Sequence, residues 1–284
     1  MTEEFAPAKV NLALHLTGLR ADGYHLLDSF VMFASVGDTL RFSPAQSLSL
    51  SVDGPEAGTV PTDKNSVLSA AQLLSPNQGA HIHLTKRLPV AAGIGGGTAD
   101  AAAAYRGLSR VWGIAPFEPT PQTFAHVAQL GADVPVCLAS RTARMSGIGE
   151  KIELLPDVPS LDAVLVNPRV EVSTPKVFKT IAQKNNAPMT SPPASFASSR
   201  DVISWLSQQR NDMQPAAQTI EPVITDVLSQ IAATNRCDLA RMSGSGATCF
   251  GLYSDPEAAQ HAATVIAKRH PNWWVHACTL GDAR

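Results

Sequence analysis

The chain has 284 residues, of which 44% are apolar, 16% charged and 6% aromatic, enough apolar mass for one large or two ordinary domains. Lys plus Arg (22) nearly balance Asp plus Glu (24), leaving a net charge of −2, so no overall positive field favours a nucleic-acid backbone. No apolar run reaches the ~18–20 residues of a membrane span. The first residues, Met1-Thr2-Glu3-Glu4, lack the order of a signal peptide. Cys137, Cys237, Cys249 and Cys278 form no Cys-x-x-Cys pair, which disfavours a disulfide scaffold or a zinc site. A reduced, cytoplasmic protein with no nucleic-acid or membrane partner and no protein-built metal site is expected.

Residues 9–16 alternate, with Val10, Leu12, Leu14 and Leu16 on one side and Lys9, Asn11, Ala13 and His15 on the other. That period predicts a strand with one face in the core. Arg20-Ala21-Asp22-Gly23 reads as a turn, 29–33 as a second strand and 48–52 as a third. Val67, Ala70, Ala71 and Leu74 fall at helical spacing within 65–74, and 80–86 alternate again. A glycine-rich loop leads into an alanine-rich helix over 100–112, stopped by Gly113. Thr120-Pro121 opens a further helix that ends at Gly131.

Pro156-Asp157-Val158-Pro159 reads as a linker between two domains. Beyond it, 163–166 is a predicted strand and 175–182 a short helix, and the Ser-, Pro- and Asn-rich stretch 184–200 reads as a mobile surface loop. Val223, Ile224, Val227, Leu228 and Ile231 make a helical stripe, followed by strands at 239–242 and 248–253. Asp255-Pro256 caps a helix to about 269, and 274–280 is the last strand. Strands and helices in mixed order indicate an α+β layout.

The loop carries glycines at 93, 95, 96 and 97 between a strand and a helix. Glycine lets backbone amides approach a ligand, and the following helix start adds free N–H groups and a positive dipole end. The pattern is an anion site, or simply a flexible turn before a helix. A Walker A loop is excluded, because Gly97 is followed by Thr98-Ala99 and no lysine. A dinucleotide fingerprint fails too: the acidic residue at the right distance, Glu118, lies between Pro116 and Pro119.

With this loop in place the chain resembles the GHMP small-molecule kinases. The resemblance spans nearly the whole chain. It rests on Ala6-Pro7-Ala8-Lys9-Val10-Asn11-Leu12 with Asp22-Gly23-Tyr24-His25, on the loop preceded by Leu88-Pro89, on Gly131-Ala132-Asp133-Val134-Pro135, and on Met242-Ser243-Gly244-Ser245-Gly246-Ala247-Thr248. It implies a two-domain α+β fold with the active site in the interdomain cleft, the ATP-binding domain over 1–155 and the C-terminal, substrate-side domain over 156–284. The implied cosubstrate is ATP with Mg²⁺, and the implied partner a small alcohol, here a cytidine diphosphate derivative of methylerythritol.

The same resemblance assigns roles. Pro89, Val90, Ala91, Ala92, Gly93, Ile94, Gly95, Gly96, Gly97, Thr98 and Ala99 would wrap the ATP phosphates, with Asn65 reaching the nucleotide. Where the family has a Ser-Ser pair this chain has Thr98-Ala99, so position 99 can offer backbone only. Asp133 would be the base and Lys9 its partner, stabilising the developing oxyanion. From its neighbours alone, Asp133 reads equally as a helix cap and Lys9 as a solvated strand residue. Asn11, Tyr24, His25, Thr174 and Phe178 would hold the substrate, Tyr24 and Phe178 stacking on the base and His25 bonding its edge. Gly244, Ser245 and Gly246 would buttress the phosphate loop, and Asn211-Asp212 matches a family position of unassigned role. Competing expectations are a family member acting on another small alcohol and a nucleotide-binding protein without catalysis.

Overall fold

The structure, a computed structural model, describes residues 2–60 and 65–283. In chain order its strands are β1 (Thr2–Leu19), β2 (His25–Pro44), β3 (Leu48–Asp53), β4 (Ala80–Thr85), β5 (Ala143–Gly147), β6 (Lys151–Leu154), β7 (Leu161–Asn167), β8 (Cys237–Met242), β9 (Cys249–Tyr253) and β10 (Trp274–Gly281). The helices are α1 (Ser66–Leu74), α2 (Gly96–Val111), α3 (Pro121–Val127), α4 (Val134–Ala139), α5 (Thr174–Thr180), α6 (Ser199–Ser207), α7 (Gln214–Ile220), α8 (Val223–Ala232) and α9 (Pro256–Arg269). None of the described helices is long and apolar enough to cross a membrane.

Among the described residues the strands form one ten-stranded sheet whose main path runs β3-β4-β2-β10-β7-β9-β8. The long β2 pairs with β1 along its length and with β5, β10 and β4 in succession. β10 joins the halves: Leu280 faces Ala34 on β2, while Trp274 to Leu280 register against β7.

Three apolar clusters follow this layout. One joins β1, β2 and β4 to the alanine face of α2, α1 and α4. Another packs β7 and β9 under α5, α7, α8 and α9. Between them lies a cluster drawn from both halves, in which Val10, Leu12 and Phe30 meet Leu161, Leu165, Phe250 and Trp205.

Several elements are longer than their periodicity suggests. β1 is buried on both faces, Lys9, Asn11 and His15 included, because the second half of the chain covers its polar side. Register shifts between Asn11 and Ala13 break the alternation, which is how Ala13 becomes core. α2 starts at Gly96, inside the glycine run, with Gly95 as a left-handed N-cap at φ 66°. Residues 184–200 are not a free loop. Met189 is buried and donates its N–H to Asp28 at 2.9 Å, Asn185 bridges to Thr17, and Phe196 packs on Trp205.

Candidate active site

The central strand sets the site. Lys9 is fixed by its backbone, whose N–H donates to the Ile94 carbonyl of the glycine turn at 3.0 Å. Its Nζ donates to Asp133 Oδ2 at 2.7 Å, the lysine side chain being 5% exposed and the aspartate 37%. Asp133 stands at the N-cap position of α4 yet makes no side-chain cap bond. The capping alternative is therefore not taken, and the carboxylate faces Lys9 and the cavity. Two positions along β1, Asn11 donates from Nδ2 to Ser29 Oγ at 2.8 Å, and its backbone N–H reaches Ser243 Oγ at 3.0 Å.

The glycine turn is held from behind by the second half. Ser243 Oγ donates to the Gly93 carbonyl at 3.0 Å, and the Thr248 N–H donates to the Ala92 carbonyl at 3.2 Å. Gly93 has φ +71°, and a Cβ there would stand 2.7 Å from the carbonyl oxygens of both Ser243 and Gly246. Gly244 mirrors this, with φ +55° and a Cβ position 2.9 Å from the Gly93 carbonyl oxygen. Two backbone turns thus touch directly, and any side chain between them would part them. At the end of the turn the N–H groups of Gly96, Gly97 and Thr98 open α2 and have no acceptor within the helix. Thr98 Oγ1 donates to the Gly95 carbonyl at 2.8 Å.

These groups line one cavity of about 620 Å³. It brings together Lys9, Asn11, Ala91, Ala92, Gly93, Gly95, Gly96, Gly97, Thr98, Asp133, Thr174, Phe178, Gly244 and Ser245. Across it Thr174 Oγ1 and Ser245 Oγ are 2.7 Å apart. Other expected residues lie outside its lining. Ile94 is core and serves Lys9 through its carbonyl. Ala99 is core as well, and its N–H is already given to the Gly95 carbonyl, so position 99 has no backbone donor for a ligand. Where the chain enters the turn, Pro89 is buried and Val90 exposed. Gly246 sits behind the turn against Gly93. Asn65 caps α1, its Oδ1 accepting the Val67 N–H at 2.9 Å, beside Ser66 on the cavity wall.

The aromatic end differs from the arrangement expected. His25 stacks on Phe178 itself, ring centroids 4.2 Å apart and planes at 17°, while Tyr24 is 59% exposed. One face of Phe178 is thus taken by His25, while the residue itself lines the cavity. His25 Nε2 is buried with no hydrogen-bond partner among the described residues. Burial and the Lys184 charge lower the His25 pKa, which favours a neutral ring able to bond a base edge.

Sequence reasoning missed several contributors. Ser29 and Ser243 act only through long-range contacts, and Glu171 and Met145 reach the cavity wall from elements without a motif. Asn211 had a sequence signal but no role. Its Nδ2 donates to the Met242 and Gly244 carbonyls, both at 2.8 Å, tying down the second turn. Asp212 accepts from the Leu16 N–H at 2.7 Å and from Asn186 at 3.0 Å, closing the 184–200 segment over β1.

A glycine cradle shared between two halves, with a lysine–aspartate pair at its rim, is the layout of a phosphate-transferring cleft. The family profiles for the GHMP kinases N terminal domain and the GHMP kinases C terminal match residues 65–141 and 197–272. The chain belongs to the GHMP kinases. It is 54% identical over 277 residues to the 4-diphosphocytidyl-2-C-methyl-D-erythritol kinase of Paramagnetospirillum magneticum, covering 95% of each chain. It is 52% identical to the protein of the same name from Roseobacter denitrificans, covering 99% of this chain and 94% of that one. A crystal structure of 4-(cytidine 5'-diphospho)-2C-methyl-D-erythritol kinase superposes with a TM-score of 0.79 at 31% identity, covering 98% of this chain and 99% of the other.

Proposed function

We propose that the chain transfers the γ-phosphoryl group of ATP to the 2-hydroxyl of 4-diphosphocytidyl-2-C-methyl-D-erythritol, a step of the non-mevalonate route to isoprenoid precursors. The observation that carries the reading is the Lys9–Asp133 pair at 2.7 Å on the rim of the glycine cavity, in a chain so similar to kinases of that name. In this reading residues 1–155 hold the nucleotide and 156–284 complete the substrate side.

Asp133 takes the proton of the acceptor hydroxyl as its oxygen bonds to the γ-phosphorus, and the bond to the bridging oxygen breaks to leave ADP. Lys9 lies where it can offset charge growing on the acceptor oxygen. The first N–H groups of α2 and the turn ahead of it hold the phosphates. His25 Nε2, buried and without a partner among the described residues, suits a base edge, with Tyr24 as the stacking surface that is open.

Among the described residues no group of three or more His, Cys, Asp and Glu gathers to hold a metal. Magnesium takes few protein ligands and fills its shell from phosphates and water, so the Thr98 hydroxyl and the Glu171 carboxylate, both on the cavity wall, fit such an ion. Bound there, it would neutralise phosphate charge. ADP release measured with the cytidine diphosphate substrate, homoserine and mevalonate tests the reading. Release with the first alone supports it, and release only with another acceptor contradicts it.

A further inference from the structure

The bond between Asn11 and Ser29 decides which end of an amide faces the cavity. Asn11, Ser29 and Ser243 are 5%, 1% and 0% exposed, so their polar atoms need partners inside the fold or an opening onto the cavity. Ser29 lies on β2 beside the shift of register between Asn11 and Ala13 on β1, and an irregularity of that kind next to a site re-aims a side chain. Its Oγ donates to the Ala13 carbonyl at 2.7 Å and accepts from Asn11 Nδ2 at 2.8 Å.

A serine hydroxyl has one proton, and a backbone carbonyl can only accept. With that proton spent on Ala13, Ser29 has only lone pairs left for Asn11. An amide turned the other way would set its oxygen against those lone pairs, two acceptors on one proton. The oxygen is therefore the end left over, and it lies on the cavity side. A Cβ built on Gly244, which lines the cavity, would stand 3.4 Å from Asn11 Oδ1. Among the described residues none donates to that oxygen. Ser243 treats the backbone in the same way: its Oγ gives its proton to the Gly93 carbonyl and accepts the Asn11 N–H, both at 3.0 Å. Two serines whose protons are spent elsewhere thus fix Asn11 at its main chain and at its side chain.

We propose that Ser29 is a positioning residue that sets specificity for the alcohol: it turns the Asn11 oxygen into the cavity, where that oxygen accepts an O–H of the substrate. The inference rests on the cavity being the transfer site proposed above. Donors line the other part of the cavity, where Lys9 and the first N–H groups of α2 suit anionic oxygen. The Asn11 oxygen repels phosphate oxygen and welcomes a hydroxyl, so the two substrates are sorted by polarity. Lys9 and Asn11 are two residues apart on one face of β1, about 6.5 Å along the strand. The O–H that Asn11 reads is then a second one, beside the hydroxyl that faces Asp133. An alcohol with a single hydroxyl, or with the second masked as an ether, loses this contact.

Initial rates of ADP release with the cytidine diphosphate substrate, for Ser29→Ala, Asn11→Ala and the double variant, form a cycle that isolates the coupling. Ser29→Ala raises the KM for the alcohol by about 3–10-fold, the worth of one hydrogen bond, with the KM for ATP little changed. In the Asn11→Ala background the same replacement moves that KM by less than about twofold. Ser29→Thr, which keeps the hydroxyl, restores it. An unchanged KM for the alcohol in folded Ser29→Ala, or an equal rise with and without the Asn11 amide, overturns the inference and leaves the transfer reading intact. No transfer to this substrate by the wild-type protein overturns both. Should Ser29→Ala not fold, proton exchange at Asn11 Nδ2 in the wild-type protein decides. Slow exchange that the alcohol leaves unchanged supports the inference, and fast exchange that the alcohol slows contradicts it.

Discussion

Two lysines meet carboxylates beside the glycine turn, Lys9 with Asp133 and Lys86 with Asp38 and Asp100. Their N–O distances are alike, at 2.7 Å for the first and 2.5 and 2.7 Å for the second. Their surroundings are not: Asp133 is 37% exposed on a cavity, while Asp38 and Asp100 are 0% and 4% exposed. The same pairing therefore serves two ends. An open carboxylate can receive a proton from a bound hydroxyl, whereas the sealed cluster holds backbone in place. Distance alone does not separate a reacting group from a supporting one; access to the cavity does.

Lys9→Ala should lower turnover by about 10²–10⁴-fold, the range for loss of help at a reacting proton, with nucleotide affinity little changed. Steady-state kinetics against ADP binding checks this, and an unchanged rate would remove the distinction between the two pairs. Lys86→Met should leave turnover a secondary matter and cost about 3–5 kcal/mol of folding stability, as expected when a buried pair loses its counter-charge. Denaturant unfolding reads that loss. Gly93→Ala forces a Cβ to 2.7 Å from two carbonyl oxygens at a positive φ. It should cost about 1–3 kcal/mol and weaken ADP binding together with stability, because the two turns must part.

A pH dependence sharpens the comparison further. Asp100 holds its proton up to about pH 7 in the folded chain, against an ordinary value of 3.8, so the folded state binds that proton more tightly than the unfolded one. Stability from this group is present below the ordinary value and is lost as pH rises through the folded one. Wild-type protein should lose stability relative to Asp100→Asn between about pH 4 and 7. Unfolding curves for both proteins across that range test the sign, and parallel pH profiles would contradict it.

Much of the site was legible because its parts are local. The glycine run marks a candidate anion-binding turn within eleven residues, and Lys9, Asp133 and Thr174 each sit in a short motif. What stayed hidden is what depends on chain reversal. Lys86 lies 48 positions from Asp38 and 14 from Asp100, and nothing near any of them announces the others. Residues 184–200 read as mobile from Ser, Pro and Asn content, but a backbone N–H on Met189 meeting Asp28 leaves no trace in composition. Phe178 lines the cavity, but its stacking on His25 joins two distant stretches of chain, a pairing that no local pattern announces. Alternation in β1 identified the strand but not the register shift that puts Ala13 in the core, nor that its polar side faces the cleft and the other half of the chain.

The most direct measurement is single-turnover transfer from Mg-ATP to the cytidine diphosphate substrate by Asp133→Asn, with unfolding curves run beside it. Stability within ~1 kcal/mol of the parent and a rate lowered by about 10²-fold or more are predicted, because the side chain makes no cap bond and its partner Lys9 can still bond an amide oxygen. A folded variant that transfers at the parent rate would show that the open pair is structural and that the proton leaves by another route.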